Sequence, residues 1–242
     1  YSAADGGEHD GTDERGEADD GERRVDAPDA LRITALRRCA GGEHRGTGTI
    51  TVREPESSET DGNANLRGHL RVATAGHHFC YADGTPFFWV GDTNWPINTV
   101  RCGIGRSGWA QPDETSPFWQ YVRQRISLGL TVIQTSFWRS YLGAPQRNEA
   151  GYPFPRNTFT GDRVALDNGD FAELNPLFFR YLDYRMQALH DERLVVSGHP
   201  NWIGRHLRIS LEDAVHFERY LLMRYGAYNI VFLDAMGRMF AG

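Results

Sequence analysis

Residues Tyr81–Trp95 read YADGTPFFWVGDTNW, and the reading of this stretch decides the fold. Asp83-Gly84 is a tight-turn signal. After Pro86 come four apolar residues without alternation, Phe87-Phe88-Trp89-Val90. Such a run predicts a short strand buried on both faces, as in parallel sheets. The strand is expected to stop at Gly91-Asp92-Thr93-Asn94-Trp95. In an α/β barrel the loops after the strands line the mouth, so a polar cluster there is where chemistry is expected. A carboxylate, two hydrogen-bonding side chains and an indole face suit a sugar better than a phosphate or a hydride. The plainer alternative is that Asp92 caps a turn and Trp95 is core.

Downstream, helical and strand patterns alternate. Ser116-Pro117 opens a helix through Ile126 that Gly129 ends, and Leu130–Ser136 is a β-branched strand. A long loop is expected from Phe137 to about Asn175. Asn175-Pro176 then opens a helix to about Asp191, with Phe178, Leu182, Met186 and Leu189 on one side. Leu194-Val195-Val196 is the third strand, Ser210 caps a helix to about Tyr225, and Ile230–Leu233 is the fourth strand. Repeated βαβ units imply a parallel sheet, either doubly wound or a barrel. No GxGxxG follows an expected strand and no GxxxxGK[ST] occurs, so the nucleotide-binding version lacks its main support. The long second loop favours a barrel. A full barrel needs eight units and about 250 residues. The fold class expected for 77–242 is therefore α/β, a partial (β/α)8 TIM-type barrel of about the first four units.

Upstream, Leu31–Leu36, Thr47–Val52 and Leu70-Arg71-Val72 alternate with period two, so 29–76 reads as the last strands of an antiparallel β-sandwich. The polar run Glu54–Asn65 reads as a loop between them. Residues 1–28 are Gly, Asp, Glu and Arg with almost nothing apolar, and read as a disordered acidic linker. The net charge of −6 argues against a nucleic-acid partner. All 26 basic residues are Arg, a mark of genome composition or salt adaptation rather than of function. Cys39, Cys80 and Cys102 show no metal spacing, and neither does His77-His78, so no metal and no cofactor is expected. No apolar run reaches a membrane span, so no membrane partner is expected either. The first residue is not Met, and no signal-peptide pattern is present. An extracellular or periplasmic location follows if a signal peptide was trimmed away, a cytoplasmic one otherwise.

Polar and aromatic residues gather after the expected strands. They are Asp92, Asn94 and Trp95, then Trp138, Arg139 and Tyr141, then Asn148 in the long loop. His199, Asn201 and Trp202 follow the third strand, and Asp234 the fourth. Flat rings cover the apolar faces of sugars, and planar polar groups fix their hydroxyls. Three tryptophans in three successive loops, each beside Arg, Asn or Asp, suit a carbohydrate cleft. Trp95 and Trp138 are expected to face a common one.

The run GHLRVATAGHHFCYADGTPFFWVGDTNW resembles the start of the apiosidase-like glycoside hydrolases, and the likeness continues in TSFWRSYLGAPQRNEAGYPF, LNPLFFRYLDYRMQALHDERLVV and RYLLMRYGAYNIVF. The resemblance covers Ala30 to Phe232. It implies a (β/α)8 barrel that hydrolyses glycosidic bonds of plant or microbial polysaccharides through two carboxylic acids. It also puts Asp92, Trp95, Trp138, Arg139 and Asn148 on cleft-lining positions. After the fourth strand, however, the family pattern gives a Gly-Glu or Asn-Glu pair, whereas this chain reads Leu233-Asp234-Ala235-Met236. Asp234 is the one candidate catalytic carboxylate at that place. The expectation is a glycoside hydrolase fragment, inactive by itself, with an oligo- or polysaccharide as its partner. The alternative is a non-catalytic carbohydrate- or matrix-binding module on the same barrel. A sugar isomerase or lyase ranks last, since only His199 and Asp234 approach its metal set.

Overall fold

A computed structural model of the chain describes residues 29–39, 42–105, 113–140, 147–154, 159–160, 163–164, 174–203 and 211–233. It divides into two compact units, Tyr1–Glu54 and Pro55–Gly242. In the first, β1 (Asp29–Cys39) and β2 (Gly42–Val52) pair antiparallel along their full length, from Asp29 opposite Val52 to Cys39 opposite Gly42. The two period-two stretches of the sequence lie in these strands. The expected linker 1–28 lies outside the described residues.

The second unit opens with α1 (Ser57–Gly62), where Glu56 and Glu59 form a capping box, and a 3-10 turn over Ala64–Arg67. A run that reads as a polar loop is thus largely helical, because it caps itself. Next, β3 (Arg71–Val72), β4 (Phe79–Cys80) and β5 (Pro86–Phe87) form a small antiparallel sheet in that order. Here the structure corrects the reading of Phe87–Val90 as one doubly buried strand. Phe87 is buried, but Phe88 is 78% exposed, and the strand that enters the parallel sheet is β6 (Gly91–Thr93). The aromatic residues serve the small sheet instead. Tyr81 meets Phe87 edge-on at 5.4 Å, Phe87 meets Trp89 at 6.2 Å, and Phe79 lies 5.2 Å from Trp89.

Helix α2 (Pro117–Ser127) starts where predicted, with Pro117 in its first turn and the Ser116 hydroxyl accepting from the Trp119 N–H. It ends at Gly129, whose φ of +75° places it in the left-handed region that glycine tolerates. Strand β7 (Val132–Ser140) is longer than expected. The short strands β8 (Phe159–Thr160) and β9 (Arg163–Val164) pair antiparallel. Helix α3 (Pro176–Asp191) is capped by Asn175, which accepts from the N–H groups of Leu177 and Phe178. Strand β10 (Val195–Ile203), helix α4 (Leu211–Tyr225) and strand β11 (Ile230–Phe232) complete the order. The four strands form a parallel sheet, β11–β10–β7–β6. β7 and β10 run past the predicted strand ends because they bond to each other as far as Ser140 and Ile203. Backbone pairing of that kind needs no apolar side chains.

Strand alternation gives the sheet two faces of different character. On one, Ile133, Phe137, Val196, Ile230 and Phe232 pack against Phe118 and Val122 of α2, Leu182 and Met186 of α3, and Leu221 and Tyr225 of α4. On the other, Val132, Val195 and Val231 pack at the N-terminal end of the strands against Tyr81 and Phe87 of the antiparallel sheet. Burying such a valine fully contributes about 1.5–3 kcal/mol.

The start of this unit is bonded to the same end of the parallel sheet. Asn65 is 4% exposed and donates to the carbonyls of His190 and Leu194. Asn229 accepts from the Leu70 N–H and donates to Asn65 and to the Gly68 carbonyl. The compact unit Pro55–Gly242 accordingly includes the residues from Pro55 to Gly76.

Candidate functional site

Above the valine layer, toward the C-terminal ends of the strands, the same sheet face becomes polar. Thr93 of β6 donates from Oγ1 to Oε1 of Gln134 on β7 at 3.1 Å. Nε2 of Gln134 lies 3.3 Å from Nε2 of His199 on β10. A hydrogen-bonded row thus crosses three adjacent strands. The half-buried Trp95 covers its end, with its ring 5.5 Å from the His199 imidazole at an interplanar angle of 43°. His199 is 7% exposed, and burial holds its basicity below the ordinary imidazole value, which favours the neutral ring. The half-buried Asn94 joins the edge of this region through its backbone N–H, which donates to the Gln134 carbonyl.

Asp92 stands elsewhere. One residue before Thr93, it projects to the helix-covered face, where Oδ2 accepts from Arg125 Nε at 2.5 Å and from the Tyr121 hydroxyl at 3.0 Å. Oδ1 accepts from the Thr93 N–H. The Arg125 guanidinium also sits 4.5 Å from the Tyr121 ring centroid. Burial pulls the Asp92 carboxyl upward, but the bonds from Arg125, Tyr121 and Thr93 outweigh it and leave it below the usual carboxylate range. Burial, and after it the Asp92 carboxylate, push the Tyr121 phenol well up. Asp92 therefore locks β6 to α2 and is turned away from the polar row. A strand residue reaches only one face, and the sequence did not say which.

Trp95 and Trp138 line one shallow recess with Asn98, Ser136 and Phe178, with enclosed room for about one water molecule. This is smaller than an ordinary ligand pocket. Trp138 is 3% exposed and meets Phe154 edge-on at 5.2 Å and Phe217 at 6.5 Å. It belongs chiefly to the core, packed against these two rings. Asn148 is likewise committed, being 2% exposed. Its Nδ2 donates to the Phe178 carbonyl, and its Oδ1 accepts from the Ala150 N–H. Beside it, Glu149 accepts from Arg185 Nη2 with both oxygens at 2.7 and 3.0 Å and from the Ile104 N–H. Arg185 is fully buried and also donates to the Cys102 carbonyl. Burial against this pair pushes the Cys102 thiol up to about 11.

Of the remaining expected site residues, Arg139 and Trp202 face each other in the β7–β10 register, and their side chains lie outside what is described. Tyr141 and Asp234 lie wholly outside the described residues. His77 and His78 are exposed. Among the described residues no three His, Cys, Asp or Glu are grouped to hold a metal ion, and no helix is long and apolar enough to cross a membrane. The residue that sequence reasoning missed is Gln134. Its one signal is an amide inside a β-branched strand, which must find partners when the strand is half-buried.

A parallel α/β sheet with an apolar N-terminal floor and a polar row at its C-terminal end is the architecture of proteins that bind ligands at the strand ends. Residues 73–239 match the apiosidase-like catalytic domain, and the chain belongs to that family. Among solved structures it is similar to a candidate glycoside hydrolase from Bacteroides vulgatus ATCC 8482, with a TM-score of 0.55 and 20% identity over 86% of this chain and 38% of that one. A second structure, described as a glycoside hydrolase, has a TM-score of 0.48 and 22% identity over 69% of this chain and 33% of its own. A family 5 glycoside hydrolase from Bacteroides vulgatus ATCC 8482 has a TM-score of 0.46 and 18% identity, covering 69% and 32%. The chain thus spans about a third of the length of these structures. No curated protein matches it.

Proposed function

We propose that Pro55–Gly242 is the first half of a (β/α)8 glycosidase barrel that binds plant or microbial oligo- or polysaccharide at the C-terminal end of its sheet. The observation that carries this reading is the row Thr93–Gln134–His199 beneath Trp95. Neutral hydrogen-bonding groups beside an indole match the alternating polar and apolar surfaces of a sugar. Family membership over 73–239 supports it. The β1–β2 hairpin is then the end of a β-sandwich that precedes the barrel.

Glycosidases of the usual kind need two carboxyl groups flanking the scissile bond. Two carboxylates near the strand ends are committed elsewhere, Asp92 to Arg125 and Glu149 to Arg185. Asp234 is the proposed acid, and Tyr1–Gly242 on its own is expected to bind glycans without cleaving them. The test is incubation with apiose-, arabinose- and galacturonate-containing glycans, followed by calorimetry for binding and by assay of reducing ends. Saturable binding without new reducing ends is the expected result. Turnover abolished by Asp234→Asn would overturn the expected inactivity and make Asp234 catalytic. A folded chain that binds none of these glycans would sink the carbohydrate reading. The committed state of Asp92 and Glu149 equally suits a non-catalytic binding module, and glycan cleavage by a longer chain carrying the whole barrel would discriminate against it.

A further inference from the structure

We propose that Gln134 is the positioning residue of this site: by spanning Thr93 and His199 it holds the His199 imidazole as the tautomer with its proton on Nδ1. The inference rests on the carbohydrate reading for its purpose, but its geometry stands independently. A primary amide has one accepting end and one donating end. The accepting end, Oε1, takes the Thr93 hydroxyl at 3.1 Å, which leaves the donating end, Nε2, facing His199 at 3.3 Å. A ring nitrogen that faces an N–H donor must be the unprotonated one, so Nε2 is the acceptor and Nδ1 carries the hydrogen. Burial favours the neutral ring, so a single tautomer, not an imidazolium, is the state to be fixed. Trp95 shields the ring from one side, which makes the amide bond stronger than it would be in water.

The consequence concerns the ligand. A doubly protonated imidazole offers two donors and a positive charge, which would favour an anionic group. An Nδ1–H tautomer bonded at Nε2 carries no charge, and its Nδ1 is buried. The strands that carry this row thus present a hydroxyl, an amide and a neutral imidazole, a set selecting a neutral sugar ring over a uronic acid. Gln134 acts through His199 and needs no contact with the reacting bond.

The test is a long-range proton–nitrogen correlation spectrum of the histidine rings of Tyr1–Gly242, with His199 assigned by its loss in His199→Gln. The expected spectrum shows a pyrrole-type Nδ1 and a pyridine-type Nε2. In Gln134→Leu that pattern is expected to be lost, with an Nε2–H signal appearing. In Gln134→Glu the carboxylate is expected to draw the proton to Nε2. A wild-type ring protonated on Nε2 would overturn the proposal, because the amide would then be reversed. So would a Gln134→Leu spectrum identical to wild type, since a purely structural glutamine leaves the tautomer alone. If Gln134→Leu fails to fold, Gln134→Glu, close in size, supplies the same comparison. No glycan enters this measurement. Its failure is therefore distinct from failure of the carbohydrate reading, which appears as absent binding in a protein whose tautomer is as expected.

Discussion

The ring of Phe137 lies directly over the backbone of Gly198: a Cβ built on Gly198 would stand 2.5 Å from Phe137 Cε2. Phe137 then continues into a stack with Tyr225 at 5.4 Å and Phe232 at 5.7 Å. Glycine in β10 is thus what lets an aromatic residue of β7 reach across to α4 and β11. Gly198→Ala is expected to destabilise the unit by about 1–3 kcal/mol, the usual cost of overpacking. The smaller ring-free side chain of Phe137→Leu should relieve part of it, so the double variant is expected to fall short of the sum of the single losses. Chemical denaturation of the four proteins measures this, and strict additivity would show that the two residues do not compete for space.

Asp92 is expected to matter for stability and not for sugar affinity. Its carboxyl is bound to Arg125 and Tyr121 and lies below the ordinary carboxylate range. A group depressed in the folded state contributes stability above its unfolded value, and that contribution is lost as pH falls through the folded value. Asp92→Asn should therefore flatten the acid limb of the stability–pH curve below the usual carboxylate range while leaving glycan affinity unchanged. Loss of affinity without loss of stability would return Asp92 to the cleft.

The buried imidazoles act in the same direction over a different range. His190 and His199 are both held below their ordinary value of 6.5, principally by burial. The unfolded chain binds more protons than the native one between the folded values and 6.5, so stability is full above 6.5 and falls as the solution is acidified. Thermal denaturation of wild type, His190→Gln and His199→Gln from pH 7.5 down to pH 5 checks this. A melting temperature that rises on acidification in that window would contradict it.

The buried Arg185 donates from Nη2 to both oxygens of the partly exposed Glu149, a pair that ties the loop after β7 to Cys102 and Ile104 in the loop after β6. Removing one partner strands a buried charge, at a typical cost of about 3–5 kcal/mol, whereas replacing both with apolar groups is often nearly neutral. Glu149→Gln is expected to lie at the low end of that range, because Glu149 is 18% exposed. The double variant Glu149→Leu/Arg185→Met should recover most of the loss. Equal losses in the single and double variants would mean that the pair contributes specific binding beyond charge compensation.

Asn65 closes the N-terminal end of the sheet by donating to His190 and Leu194 and accepting from Asn229. Asn65→Ala removes its buried bonds with Leu194 and Asn229, while the His190 carbonyl keeps the Asn63 amide and the Arg193 N–H, and is expected to cost about 1–3 kcal/mol. Deleting residues 1–54 should leave a folded unit, whereas deleting 1–76 should not, as circular dichroism with cooperative thermal melting would show. A cooperative 77–242 would favour the boundary suggested by the sequence.

The sequence by itself determined the main helices and parallel strands downstream of Trp95, though not the β8–β9 hairpin inside the expected long loop. Ser116-Pro117, Gly129, Asn175-Pro176 and Gly226 are local signals, set by the few backbone dihedrals and hydrogen bonds those residues favour. It also determined the family, because the long aromatic motifs are intrinsic to the chain. What only the tertiary structure decided is which way each side chain points and what it meets. Phe87–Val90 is equally apolar whether it threads a parallel sheet or folds as an aromatic hairpin, and only the pairing of Phe79 with Phe87 chose the second. Once β6 begins at Gly91, alternation turns Asp92 toward Arg125 and Thr93 toward Gln134. A shift of one residue would have exchanged them, since the strand period is two. The row Thr93–Gln134–His199 joins residues 41 and 65 positions apart, a separation that no local pattern can encode and that register alone fixes.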